Sequence, residues 1–220
     1  MMRRSLTSLS LLLLVAAPLS AQSKEKDPDH KAAGGALPVG WSGRTDDAKK
    51  KVADAKFVTM GSGFHVTSGP AAIYWTDKNK VKGPFTASAT FRQTKKPEHP
   101  EAYGMIFAGN KLDTPEQSYF YVLVRGDGKV LVNHRAGAEV HKIMDWKEVA
   151  SAKKEDASGV ATNTIGIDAT KPDSVRVLVN GVQVTALPGS NSGSTDGIVG
   201  LRVNHNLDVH ISDFTVAPKK

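Results

Sequence analysis

The chain has 220 residues, no cysteine, and 29 lysines and arginines against 22 acidic residues, a formal charge of +7. Without cysteine there is no disulfide framework, no thiolate zinc site and no lipid attached through a thiol. The positive charge is scattered over both ends and short runs such as Lys49 to Lys51, Lys95-Lys96 and Lys153-Lys154. It forms neither the clustered stripe nor the RNA-binding signature that nucleic-acid recognition needs, so nucleic acid is excluded as a partner.

Arg3 and Arg4 open the chain, an apolar run extends from Leu9 to Ala17, and Pro18 to Ala21 end on a small residue. Residues 1–21 therefore read as a secretory signal cleaved after Ala21. Arg3-Arg4 matches a twin-arginine signal only in part, and the general export route is expected. The apolar run falls short of the roughly 20 residues that cross a bilayer, and no later segment approaches that length, so no membrane span is expected. The product is expected in the periplasm or the medium, and loss of the two arginines lowers its formal charge from +7 to +5. Residues 22–40, "QSKEKDPDHKAAGGALPVG", are polar and without hydrophobic period, as in a flexible leader. Residues 41–217 make one domain, long enough to bury roughly 70% of its unfolded surface.

The first predicted element of that domain is a short peripheral helix, "TDDAKKKVADAK" at 45–56, with Thr45 as N-cap and Asp46-Asp47 at the favourable end of its dipole. From there the period is two. Strands are predicted at 83–92, 102–109, 118–124, 129–135, 163–168, 174–180, 182–187 and 197–203, each bounded by turn residues. Many short strands without intervening helices predict an all-β sandwich of two antiparallel sheets. No internal repeat suggests a propeller or solenoid.

Two hairpins assign faces. A two-residue turn at Asp127-Gly128 pairs Val124 with Leu131, sets Phe120, Val122 and Val124 toward the core, and places Tyr121 opposite His134; a three-residue turn at 126–128 would break this pairing. Tyr119, Tyr121, Leu123 and Arg125 then share the other face with Val132 and His134. Arg125-Gly126-Asp127 spells an adhesion tripeptide, but Gly-Asp-Gly is what a hairpin requires in any case. Asn180-Gly181 is the second turn; it aligns Val175, Val177, Val179, Val182, Val184 and Ala186 as core, with Arg176, Leu178, Gln183 and Thr185 opposite.

The closing stretch "GLRVNHNLDVHISDFTV" carries two histidines, two asparagines and two aspartates. Leu207, Val209 and Ile211 alternate with Asp208, His210 and Ser212, the pattern of a half-buried strand that follows a turn at 204–206. The less favoured alternative is a metal site of His205, Asp208 and His210, which would need the turn to swing His205 round and a further ligand from elsewhere. After Ser212 the apolar parity flips to Phe214 and Val216, which predicts a bulge near Asp213.

With "SGFHVTSGPAAIYW", "EAYGMIFAG", "SYFYVLVRGDGKVLVNHRAG", the "NGV" hairpin and that closing stretch, nearly the whole mature chain resembles the concanavalin A-like lectin/glucanase superfamily. It is most similar to exported bacterial domains labelled 3-keto-disaccharide hydrolase-like. The resemblance implies a jelly-roll sandwich of two curved antiparallel sheets, one with a concave face. It implies less about function, since lectins, adhesion modules and glycosidases share the scaffold.

Glucanases of this fold carry a Glu-x-Asp-x-x-Glu type motif because two carboxyls must flank one glycosidic bond. The sequence has no such motif, no Gly-x-Ser-x-Gly elbow and no His-Glu-x-x-His. Its loose carboxylates, Glu98, Glu101, Asp113, Glu116, Glu139 and Asp145, fall in predicted turns or strand ends. "DTPEQ" offers some oxygens to a hard cation but too few for calcium, so no cofactor is expected. Sugar rings pack their C–H faces on aromatics while polar neighbours orient the hydroxyls. Tyr119, Tyr121, Arg125 and His134 meet that description and form the candidate carbohydrate site; Trp75 and Trp146 are alternative platforms, although tryptophan in a sandwich more often belongs to the core. Lectin-like carbohydrate recognition is thus expected, with glycoside hydrolase or lyase action on a keto-disaccharide, or an envelope docking module, as alternatives.

Overall fold

In a computed structural model, residues 28–32, 34–188 and 194–219 are described. Fifteen strands account for most of them: β1 (Ser42–Thr45), β2 (Lys56–Met60), β3 (Gly63–Thr67), β4 (Ala72–Trp75), β5 (Lys80–Val81), β6 (Phe85–Gln93), β7 (Ala102–Asn110) and β8 (Ser118–Arg125). They continue through β9 (Lys129–Ala136), β10 (Glu139–Glu148), β11 (Ala161–Lys171), β12 (Ser174–Val179), β13 (Val182–Pro188), β14 (Gly197–Val203) and β15 (Asp208–Pro218). One sheet has eight strands in the order β1-β4-β14-β7-β8-β9-β10, with β5 beside β14; the other has seven, β13-β12-β11-β6-β15-β3-β2. Every pairing is antiparallel. The main core fills the space between the sheets, with Phe85, Phe91, Tyr103, Phe107, Ile165 and Ile211 among its fully buried members.

The helix expected at 45–56 does not form. Thr45 ends β1, and its hydroxyl donates to the Asp47 and Lys50 carbonyls at 2.9 and 3.0 Å, which closes a loop instead of capping a helix. Only a single 3-10 turn remains, at Val52–Asp54. Strands β1 to β5 and β10 add to those read from the sequence. β4 is buried along its whole length, and β10 is a mostly exposed edge strand with two register shifts, so neither displays clean alternation.

The β8–β9 register differs from the expected one by a residue. Val124 faces Val130, Leu123 faces Leu131, Tyr121 faces Asn133 and Phe120 faces His134. The cause is a three-residue loop, 126–128: the Gly128 amide donates to the Arg125 carbonyl at 2.9 Å with Gly128 at φ 84°, and the Gly126 carbonyl is held by the Glu155 amide at 2.7 Å. Core and outer faces of β8 keep their assignment, but His134 moves to the core side, where it stacks on Phe120 with ring centroids 4.4 Å apart. Val132 likewise joins the core.

At the second hairpin Asn180 and Gly181 take positive φ as the turn requires. A register shift in β13 beyond Gln183 then puts Leu187 rather than Ala186 into the core and leaves Val182 exposed. Asn180 anchors the turn: its side-chain oxygen accepts from the Thr164 amide, and its amide donates to Ser151 O and to Asn163 Oδ1. The parity change after Ser212 is a bulge, with Asp213 at φ 52° and a register shift between Ser212 and Thr215.

Of the 22–40 segment read as a flexible leader, the described residues 28–32 and 34–40 have no regular secondary structure, and some of them lie against the domain. The Asn206 side chain accepts from His30 N at 2.7 Å and donates to Pro28 O at 3.1 Å, and Leu37 packs on the core. Gly69 lets the His30 carbonyl pass, since a Cβ there would lie 2.1 Å from it.

Candidate functional site

The eight-stranded sheet turns one face to the core and carries a second apolar cluster on the other. Ile73, Trp75, Ile106, Tyr119, Tyr121 and Leu123 belong to this outer cluster, with Trp146 packed against it. Register fixes the rows. Gly200, Ile106, Tyr121, Asn133 and Lys142 follow one another across β14, β7, β8, β9 and β10. The next row runs Arg44, Ile73, Arg202, Gly104, Leu123, Leu131 from β1 to β9. Gly104, which faces Arg202, has no side chain to fill the outer face, and a Cβ there would lie 1.8 Å from the Val122 carbonyl.

Arg202 occupies the centre of this face. Its guanidinium carbon lies 4.8 Å from the Tyr121 ring centroid, Nη1 is 3.4 Å from the Tyr119 hydroxyl, and Nη1 and Nη2 donate to the two Asp46 oxygens at 2.8 and 2.5 Å. Burial would raise the Asp46 pKa, but the charge and hydrogen bonds of Arg202, with Arg135 and Arg44 beyond, outweigh it and hold the carboxyl below its ordinary range. Asn133 is buried beside Tyr121 and donates to its hydroxyl at 3.0 Å. Two buried atoms here lack a hydrogen-bond partner among the described residues: Nε of Arg202, a donor, and Oδ1 of Asn133, an acceptor.

Of the four residues read from the sequence as a carbohydrate site, Tyr119, Tyr121 and Arg125 share this outer face and His134 does not. Tyr119 and Tyr121 are buried, and Arg202 lies over one face of Tyr121. Arg125 is at the sheet end, 4.9 Å above the Trp146 ring and joined to Asp127 through both its Nε and Nη2. That ion pair ties together the outer residues of the adhesion-like tripeptide within the turn. His134 is half-buried across the sheet, 3.1 Å from Ser118 Oγ. Trp75 is buried in the outer cluster and Trp146 half-buried at its margin. Arg202, Asn133 and Asp46 were absent from the expected site. Parity signals the first, because Val199, Leu201 and Val203 face the core and leave Arg202 opposite; no local signal brings β14 beside β7 or turns Asp46 back over the face.

Asp46 also lines a cleft of about 620 Å³ with Asp29, Asp47, His99, Glu101 and His205. There the His205 Nε2 is 2.6 Å from a Glu101 oxygen and its Nδ1 3.4 Å from Asp29. Glu101 and His205 come from turns at adjacent strand ends, joined by the Asn204 amide donating to Ala102 O at 2.9 Å. The three residues of the metal alternative do not converge. Asp208 and His210 lie on the outer face of the seven-stranded sheet, where Asp208 accepts from Thr67 and Thr94 and pairs with His65 at 3.1 Å, whereas His205 turns to the cleft. No group of three or more His, Asp or Glu able to hold a metal exists among the described residues. Chelator is expected to leave the melting temperature unchanged, as a native-state ligand would otherwise add stability; a drop of several degrees in a thermal melt would revive a bound ion.

Neither a family model nor a curated protein matches the chain. Solved structures do. The carbohydrate binding module CBM66 from Bacillus subtilis aligns at TM-score 0.58 and 13% identity over 81% of this chain and 95% of its own. The chain has a concanavalin A-like jelly-roll fold. The Emp46p carbohydrate recognition domain in its metal-free form aligns at TM-score 0.52 and 11% identity over 81% of this chain and 88% of that one. The GH16 protein of the Bacteroides ovatus mixed linkage glucan PUL, solved with product, aligns at TM-score 0.52 and 11% identity over 78% and 92%. At these identities the likeness concerns the fold alone. Among the described residues no helix is long and apolar enough to cross a membrane.

Proposed function

We propose that the protein recognises a carbohydrate on the outer face of its eight-stranded sheet, around Tyr121, Asn133 and Arg202. The observation that carries this reading is the unfilled pair of Arg202 Nε and Asn133 Oδ1 flanking one tyrosine. A buried donor and a buried acceptor left unpaired cost free energy, and a sugar offers hydroxyls that donate and accept. Apolar side chains around a few convergent polar atoms are what a sugar ring with C–H faces and hydroxyls requires. The binding module and recognition domain with the same fold support the class of ligand, and the signal-like pattern of residues 1–21 supports export to the periplasm or medium.

A glycan array identifies a ligand, and calorimetry on Asn133→Ala tests the site. Loss of one hydrogen-bonding group should weaken binding about tenfold, roughly 1.4 kcal/mol, with the fold retained in a urea melt. Unchanged affinity in a folded variant would remove Asn133 from the site.

One observation favours a second reading, glycoside cleavage: the His205 imidazole lies between two carboxylates in the cleft, an arrangement able to move a proton. Release of reducing sugar that disappears in Glu101→Gln would establish it.

A further inference from the structure

The segment at residues 28–32 brings one carboxylate into the cleft, and two kinds of tie hold it there. Asn206, buried and at φ 54°, brackets the chain on both sides of Asp29: its side-chain oxygen accepts from His30 N at 2.7 Å and its amide donates to Pro28 O at 3.1 Å. The Asn206 backbone amide is fixed in turn by the Gly69 carbonyl at 3.1 Å. These ties involve no charge. The second kind does. Asp29 Oδ2 lies 3.2 Å from Lys50 Nζ and its Oδ1 3.4 Å from His205 Nδ1, while the other ring nitrogen of His205 lies 2.6 Å from Glu101. One imidazole thus stands between the carboxylate of the segment and a carboxylate at the start of β7, with Pro28 and Asp29 forming part of the cleft wall.

The charge of that imidazole decides how firmly the segment is held. As a cation the ring has an N–H for each carboxylate and attracts both; as a neutral ring it carries one proton, and its other nitrogen turns a lone pair toward an oxygen. Glu101, at the shorter distance, keeps the single proton, so Asp29 is the partner that loses. No other charge around the ring reproduces this change. Asp46 is matched by Arg202, Arg125 pairs with Ala102 beside Glu101, and Asp47 and Lys50 complete the charged lining. Lysine, arginine and aspartate side chains do not ordinarily titrate between about pH 5 and pH 8, where histidine does. Pro70 and Ala71 bring no titratable group to the wall. Two further histidines need a control: His99 in the cleft lining, and His30 in the segment itself, 3.6 Å from Glu98 with both side chains exposed.

We propose that residues 28–32 are a latch on the cleft, fastened when His205 is protonated and loosened as the pH rises. In acid Asp29 is held by His205, Lys50 and the Asn206 bracket together. Toward alkaline pH the His205 tie is lost, and opening of the segment bares His205 and Glu101. The latch governs access to the cleft and acts alike whether a glycan is bound on the sheet face or cleaved beside it.

Amide exchange on the full protein reads the latch, since the His30 amide is protected while it donates to Asn206. Its protection, corrected for the intrinsic rate at each pH, should be about fivefold greater at about pH 5 than at about pH 8, the weight of one partly exposed ion pair. His205→Gln should remove that difference, and so should Asp29→Asn, which leaves the Asn206 bracket in place. His30→Gln and His99→Gln should keep it. Thermal melts verify folding, and if His205→Gln does not fold, Asp29→Asn decides. Equal protection at the two pH values in the parent overturns the proposal, as does an amide unprotected at both. A difference that survives in folded His205→Gln or Asp29→Asn, or that disappears in His30→Gln or His99→Gln, overturns it as well.

Discussion

Arg202→Met is expected to cost about 3 kcal/mol of folding stability, the lower end of what breaking a buried ion pair removes. The guanidinium is nearly enclosed, with 8% of its side chain exposed, whereas Asp46 keeps 31%, so water answers part of the carboxylate once its partner is gone. Restoring balance should recover most of the loss. Asp46→Asn combined with Arg202→Met leaves no buried charge and should unfold at a higher urea concentration than Arg202→Met alone. The pH dependence has a definite sign. In the native protein the Asp46 pKa is depressed below the reference 3.8, so its contribution is present above that value and is lost as pH falls through the folded value. In Arg202→Met burial acts on Asp46 without its chief opposing charge, and protonation relieves the variant as it harms the parent. The stability gap between the two should therefore narrow from pH 7 to pH 3. A gap independent of pH, or a double variant no better than the single, would show that the pair does not hold this face together.

The second large effect concerns Asn163 on β11, a fully buried amide at the meeting point of both sheets. Its oxygen accepts from Lys153 N and Asn180 Nδ2, each at 2.8 Å, and its amide donates to Lys153 O and to the Tyr103 hydroxyl of β7. Burial pushes the Tyr103 pKa up to about 12 even though the Asn163 amide donates to the hydroxyl. Asn163→Leu orphans several buried groups at once, each at about 1 to 3 kcal/mol, so a loss of about 3 to 5 kcal/mol is expected after partial relaxation. Tyr103→Phe removes one partner only and should cost about 1 kcal/mol. Urea melts of the two variants measure the difference; equal losses would mean that the Tyr103 contact alone matters and that the rest of the network is replaceable.

These two sites mark where the sequence stops being readable. Strands such as β11 and β15 declare themselves through alternation, because only one face of each is buried, and even the bulge at Asp213 is visible as a change of parity. Core facing in β8 follows instead from its hairpin, since both of its faces are buried. Pairing does not. Gly126 is part of the turn, which the Gly128 amide closes on the Arg125 carbonyl and to which Glu155, 29 residues away, adds a hydrogen bond on the Gly126 carbonyl, and with that loop length Tyr121 meets Asn133 and not His134. Thr45 and the two aspartates after it look like a helix start, yet Arg202 claims Asp46 from 156 positions along the chain. The tyrosines of the candidate site were identifiable as residues of one face. Their role as the bed on which an arginine lies was not, because the arginine arrives by a crossover between strands that are distant in sequence.

The broken register of β10 has a bearing on behaviour at high local density. A protein gathered on a repetitive polymer is brought close to many copies of itself, the condition under which bare sheet edges zip together into fibres. β10 bounds the eight-stranded sheet, and two bulges interrupt its outward hydrogen-bonding row while Lys142, Asp145 and Lys147 stand exposed along it. Such an edge offers no long straight template on which a second copy could pair.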